Sequence, residues 1–314
     1  MSSRPDIVVA LFEDVLTGLQ GDVDLELAKS ELVGLIQRPW ADFCSGGRPG
    51  RSALTESGAP FELSVKVAAD GDVSVRYVVD VADPTLDVRD NEDRYLEAAR
   101  RVTGQPARVL GQLFACHLDD AAPGTPATVM HGVGWASGRR RRSTLYFPTS
   151  WLSPDELANR LPEPVVLAGR AEVVGYDFDE GGLASWKTYQ WFSVEATPLT
   201  DESGFAASHT AAAIHERFAP ELSSRMRAKS TFLQRSRSIA AAPVHSLFFF
   251  ARPWGFAAAG GMTQLLRLLT PLGWDLGALH VVAAASRRHE LPLQVGLVAA
   301  SGDGRSVTFY FWPA

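Results

Sequence analysis

The stretch GAPFELSVKV (58–67) puts Glu62 at the head of a polar row, because Phe61, Leu63, Val65 and Val67 alternate with Glu62, Ser64 and Lys66. A period of two describes a strand with one dry and one wet face. Similar rows recur. In SVRYVVD (74–80), Ser74, Arg76 and Asp80 alternate with Val75, Tyr77 and Val79. Arg142, Thr144 and Tyr146 share a face in RRRRSTLYF (139–147), Lys187 and Tyr189 share one in SWKTYQW (185–191), and Thr308 and Tyr310 share one in RSVTFYFW (305–312). Only four of the 30 basic residues are lysine, so Lys187 on such a row is less readily a neutral surface choice. These residue types suit one chemistry. Cations and tyrosine hydroxyls that converge hold a phosphate-bearing anion through charge-assisted hydrogen bonds. Tyrosine faces stabilise a cation lying over them and keep water away. Cations for a departing diphosphate, beside aromatic faces for a carbocation, make an allyl-transfer site, with Glu62 contacting the N–H or O–H of a second substrate.

The elements that must position these rows are repeated hairpins. VGWASGRRRRSTLYFP (133–148), VGYDFDEGGLASWKTYQWF (174–192) and VGLVAASGDGRSVTFYFWP (295–313) each run Val-Gly, a glycine-containing turn and a tyrosine-bearing strand. The first polar row continues into another hairpin that turns at Asp70-Gly71, and a weaker one, SIAAAPVHSLFFFARP (238–253), has an apolar strand but no clear turn. Apolar spacing of three to four residues predicts helices over Asp6–Leu19, Asp24–Gln37, Asn91–Val102, His209–Phe218 and Thr263–Leu269. Ser153-Pro154-Asp155-Glu156 reads as a capping sequence with Pro at the first helical position. Helices then hairpin, about five times over, is an α+β repeat whose units need their neighbours to cover an apolar face.

Successive antiparallel hairpins favour closure, which abolishes exposed edges. The expected fold is a ten-stranded antiparallel β-barrel with a solvent-filled lumen, ringed by helices that cover the aliphatic face. One domain would span 1–314. A sandwich or open sheet with the polar rows in solvent also satisfies the alternation. Solvated rows usually carry Lys and Glu, whereas these carry Tyr, Trp and single cations.

A net charge of −6 argues against nucleic acid as the main partner. No run of about 18 apolar residues predicts a membrane span. The opening MSSRPDIVVALFEDVL has no basic segment before a long apolar core, so no signal peptide is expected. Cys44 and Cys116 stand far apart and in no motif, which fits a reduced, cytoplasmic protein. The pair Asp119-Asp120 runs into Ala-Ala-Pro, so there is no aspartate-rich run to carry magnesium and no metal is expected. Oligomeric state has no signature in the sequence.

PFELS (60–64), Arg76 in the next strand and Lys187-Thr188-Tyr189 on a later hairpin resemble the ABBA-fold aromatic prenyltransferases, in particular the dimethylallyltryptophan synthase family and its shorter bacterial members. The resemblance implies prenyl transfer inside the barrel, from dimethylallyl (or longer) diphosphate to an indole or tryptophan-type acceptor, without a required metal ion. It implies that Glu62 binds the indole N–H. Arg76, Arg142, Lys187 and Tyr189 would hold the diphosphate, and Tyr146, Tyr189 and Tyr310 would shield the allyl cation. His131 would be either the base that removes the arenium proton or a hydrogen-bonded lumen histidine.

The sequence departs from that pattern in three places. Thr144 and Ser185 stand where cations are usual, with Arg142 as the substitute for the first, and Phe248 and Phe250 replace tyrosines. The four-arginine run before Ser143 reads in its first three members as a solvated turn. A peptide or phenolic acceptor satisfies the same carboxylate. A barrel that binds an anionic or lipid metabolite without turnover, or one that works only within a larger biosynthetic complex, is the competing class.

Overall fold

The computed structural model describes residues 4–19, 24–44, 52–55, 57–125, 128–136, 141–163, 170–192, 231–238, 244–250, 275–301 and 305–314. Among these are α1 (Arg4–Leu19), α2 (Leu25–Cys44), β1 (Phe61–Ala68), β2 (Val73–Asp80), α3 (Glu92–Thr103), α4 (Ala107–Leu118), β3 (Met130–Ala136), β4 (Arg142–Pro148), the single turn α5 (Pro154–Ala158), β5 (Ala171–Asp179), β6 (Gly182–Phe192), β7 (Thr231–Ser238), β8 (Val244–Phe250), α6 (Gly277–Arg288), β9 (Leu293–Ser301) and β10 (Ser306–Pro313). Every strand pairs antiparallel with its neighbours in sequence, and β1 also pairs with β10, which closes the sheet into a barrel.

Alternation decides which face goes where. Phe61, Leu63, Val65 and Val67 of β1, with Val75, Tyr77 and Val79 of β2, are buried in one large apolar core shared with the helices. Phe12 of α1 meets Tyr77 edge-on at 5.2 Å and Trp135 at 5.5 Å. Helices α1 and α2 pack on β2, α3 packs on β3 and β4, and α6 packs on β1 and α1. The opposite face of the strands turns into the barrel, where Val78, Tyr146, Tyr189, Phe248, Ala299 and Tyr310 form a second, separate cluster.

Local signals account for several boundaries. Gly71, at φ 88°, makes the β1–β2 turn, a backbone state most side chains avoid. At α5, Ser153 and Glu156 form the expected reciprocal cap, with Pro154 at the first helical position. Helix α2 runs on past Gln37 through Pro39 to Cys44, although proline removes a helical donor; burial of Pro39 and Trp40 accompanies the extension.

The fifth hairpin differs from its sequence reading. Val244–Phe250 is its second strand, and the first is the upstream β7. By register Leu233, Arg235 and Arg237 share one phase of β7, which breaks the apolar alternation. Helices α4 and α6 were not legible either, since neither has a side-chain N-cap. The expected helices at 209–218 and 263–269 lie outside the described residues. Among the described residues no helix is long and apolar enough to cross a membrane.

Candidate active site

Five inward side chains close a ring, one from each even-numbered strand. Arg76 of β2 donates from Nη1 to the Tyr146 hydroxyl of β4 at 2.7 Å. Tyr146 lies 6.0 Å from Tyr189 of β6, Tyr189 lies 5.7 Å from Phe248 of β8, and Phe248 lies 5.6 Å from Tyr310 of β10, centroid to centroid. Arg76 completes the circuit, with its guanidinium carbon 5.7 Å from the Tyr310 ring and 5.9 Å from the Tyr146 ring. Its Nε also donates to Ser64 at 3.2 Å. Burial works against the Arg76 charge, but the charge interactions with the Tyr146, Tyr310 and Tyr189 hydroxyl groups and the Glu62 carboxyl outweigh it and hold its pKa well above the ordinary value. Burial pushes the hydroxyls of Tyr189 and Tyr310 well up, so both stay neutral O–H donors.

The repeated Val-Gly pairs have a physical basis here. Gly134 faces the Cβ of Arg76, with 3.3 Å between that atom and a side chain grown on the glycine. Lys187 lies across Gly175, where a Cβ would come within 2.8 Å of its Cε. At Gly296 a Cβ would overlap the Trp312 indole. Each glycine therefore clears room for a large side chain on the neighbouring strand. Trp312 follows Phe311, the register partner of Leu63, and so stands on β10 beside Glu62 of β1. It is buried, and sequence reasoning gave it no role.

Glu62 is 7 % exposed and has no hydrogen-bond partner among the described residues. Burial pushes its carboxyl from 4.5 up to about 7, with the Arg76 charge pulling the other way. A carboxylate so placed can accept an N–H and change protonation state near neutral pH.

Lys187 sits with Nζ 5.2 Å from the Tyr146 centroid. It is already paired, donating to Asp177 Oδ1 of β5 at 2.8 Å. Thr144 donates to the same oxygen at 2.6 Å, and Ser185 donates to Oδ2 at 2.7 Å. Burial works to raise the Asp177 carboxyl, but Lys187 and these hydrogen bonds outweigh it and hold it below the ordinary aspartate value. Asp177 was missed in the sequence, yet its phase was readable: it shares a face with Gly175 on the strand that pairs with Lys187.

Two expected site residues fall elsewhere. His131 is not in the barrel interior. It opposes Val79 and Leu145 and so shares the outward phase, since Tyr146 opposes Met130 instead. Its Nε2 bonds to the Tyr95 carbonyl of α3 at 3.0 Å, and the two rings stack at 6.2 Å. Burial pushes its pKa down to about 4. It is a core histidine under a helix, one residue out of phase for contact with the ring. Arg142 has the inward phase, opposite Gly134, but is exposed at the start of β4. Its neighbour Arg141 is no solvated turn residue: it pairs with Glu31 of α2 at 2.6 Å and donates to the Val102 carbonyl of α3 at 2.8 Å.

No family model matches the sequence, and no curated protein matches it. Solved structures do match. A 5-dimethylallyltryptophan synthase from Streptomyces coelicolor superposes with a TM-score of 0.72 at 17 % identity, covering 99 % of this chain and 97 % of that one. Its fold is the dimethylallyltryptophan synthase fold. A 6-dimethylallyltryptophan synthase from Micromonospora olivasterospora, solved with DMASPP and Trp, gives 0.71 at 17 % identity over 99 % and 97 % of the two chains. AnaPT from Neosartorya fischeri gives 0.61 at 13 % identity over 99 % and 94 %. Within the dimethylallyltryptophan synthase fold, the hydroxyl residues noted in the sequence, Thr144 and Ser185, are the two that bind Asp177.

Proposed function

We propose that this chain is an aromatic prenyltransferase, a single barrel domain over 1–314, transferring a dimethylallyl or longer prenyl group from its diphosphate to an indole or tryptophan-type acceptor. The barrel interior is then a solvent-filled lumen ringed by helices. The observation that carries this reading is the closed ring of one guanidinium and four aromatic faces, with a buried carboxylate beside it that lacks a partner among the described residues. The solved dimethylallyltryptophan synthases of the same fold, one with DMASPP and Trp bound, support it.

In this mechanism the donor's C1–O bond breaks and the diphosphate leaves with the bonding pair, met by Arg76, Lys187 and the Tyr189 hydroxyl. Preorganised charge of this kind usually gives the largest rate term. The allyl cation lies against the faces of Tyr146, Tyr189 and Tyr310, where each ring's quadrupole favours it. A carbon of the acceptor ring, held through N–H to Glu62, forms the new C–C bond. Glu62 accepts the proton that the acceptor gives up, since His131 faces the helices. Arg142 at the strand end supplies a cation at the entrance. The donor charge is met by side chains, and no step requires a metal.

Incubation with dimethylallyl diphosphate and a panel of indoles, phenols and tryptophan-containing peptides, with and without chelator, tests this by mass spectrometry. One added prenyl unit on an indole, unaffected by chelator, is expected. Binding of donor without any product would favour a non-catalytic metabolite-binding barrel instead.

A further inference from the structure

By register, the inward phase of the ten strands carries four cations among the described residues, Lys66, Arg76, Arg142 and Lys187. Lys66 and Arg142 are exposed near the strand ends. Of the remaining two, Lys187 is already ion-paired with Asp177, whereas Arg76 has no ion pair among the described residues and, of the acids, feels only the nearby Glu62 carboxyl. A diphosphate entering the ring therefore meets one guanidinium that is in no ion pair among the described residues and one ammonium already paired with a carboxylate. Asp177 cannot swing away easily. It stands on β5 and is tied to β4 by Thr144 and to β6 by Ser185 and Lys187. Lys187 is guided toward it, because its stem lies over Gly175. Two hydroxyls placed to hold one carboxylate, at the two positions where the resemblance leads one to expect cations, are a built arrangement.

We propose that Asp177 is a positioning residue that sets how tightly the barrel holds diphosphate: as the anchored counter-ion of Lys187 it weakens the grip on the departing product, so that the barrel empties after each turnover. This inference rests on the prenyl-transfer reading. An anion in the ring shares Lys187 with Asp177 and is repelled by it, and like charges so juxtaposed in a low-dielectric interior are costly. Product release limits turnover in many enzymes, so a counter-ion that loosens the product raises turnover while it raises the donor KM.

The test uses inorganic pyrophosphate as the probe, with titration calorimetry on the full chain and on Asp177→Asn. The asparagine keeps the shape and accepts from Thr144 but removes the charge. Pyrophosphate should bind the variant about tenfold more tightly, with a lower donor KM and no rise in kcat. A purely structural role would lower stability without tightening the anion. If the wild type binds pyrophosphate and Asp177→Asn binds it no better, Asp177 has no such role although the site reading stands. If neither binds it, the site reading falls and this inference with it. Should Asp177→Asn fail to fold, the Lys187→Met and Lys187→Met/Asp177→Asn pair decides: the second change should recover at least about fivefold of the affinity lost in the first, and no recovery overturns the proposal.

Discussion

Replacing Glu62 by Gln should make the protein more stable and less active at once. Glutamine matches the shape of Glu62 and cannot ionise. The carboxyl of Glu62 is raised from 4.5 to about 7, burial being the main cause and Arg76 the partial offset. A shift of that size is worth about 3 kcal/mol between the two protonation states. The native state holds this proton more firmly than the unfolded chain. The stability that comes with it is therefore complete below pH 4.5 and is lost as pH rises through about 7. Wild type and Glu62→Gln should then differ little at about pH 4, and the variant should be more stable by up to about 3 kcal/mol at about pH 9. Urea unfolding across that range measures the difference as a growing separation of midpoints at constant slope. Turnover of prenyl donor and indole, by contrast, should fall by about 10²–10⁴-fold. Parallel stability curves at all pH values would refute the raised, buried carboxyl of Glu62. Unaltered turnover would refute its role.

Further substitutions address the other parts of the site. The pH dependence of wild-type kcat/KM should rise through about 7 as Glu62 ionises, and that limb should vanish from the residual activity of Glu62→Gln. Arg76→Met should cost at least about 10²-fold in kcat/KM while the far-ultraviolet circular dichroism stays native; activity within a few-fold of wild type would remove Arg76 from the mechanism. Gly175→Ala sets a methyl against Lys187 Cε and Cγ, at 2.8 and 3.0 Å, and should lower stability by about 1–3 kcal/mol and change the donor KM more than the acceptor KM in steady-state assays. His131→Gln should lower stability by about 1–3 kcal/mol yet keep kcat within about threefold; a folded variant without activity would return His131 to the role of base.

The alternation of GAPFELSVKV and SVRYVVD was enough to pair β1 with β2 and assign their faces, because a one-residue slip would turn Phe61, Leu63 and Val65 away from the helices together. The inward phase of Glu62, Arg76, Tyr146 and Tyr310 was readable for the same reason, each alternating with buried aliphatic or aromatic residues, whereas Lys187 and Tyr189 alternate with Trp186, Thr188 and Gln190 and were singled out by the resemblance. His131 misled because the turn between β3 and β4 hides the register. Counting back from Tyr146 does not reveal that Met130 is its partner and His131 is Leu145's. Asp177 escaped notice because an acid near a Gly-rich turn looks solvated, and only the pairing of β5 with β6 brings it to Lys187. The hairpin β7–β8 was misplaced since TFLQRSRS has arginines in phase with Leu233, and α4 and α6 lack the capping side chains that mark helix starts.

The central claim is that donor and acceptor meet inside the ring, with diphosphate on Arg76 and the acceptor N–H on Glu62. A crystal structure with the unreactive dimethylallyl thiolodiphosphate and tryptophan tests it most directly. The account predicts phosphate oxygens within hydrogen-bond distance of the Arg76 guanidinium, the prenyl chain against Tyr146, Tyr189 and Tyr310, and the indole nitrogen on the Glu62 carboxylate. Ligands bound outside the barrel, or a diphosphate seated away from Arg76, would contradict it.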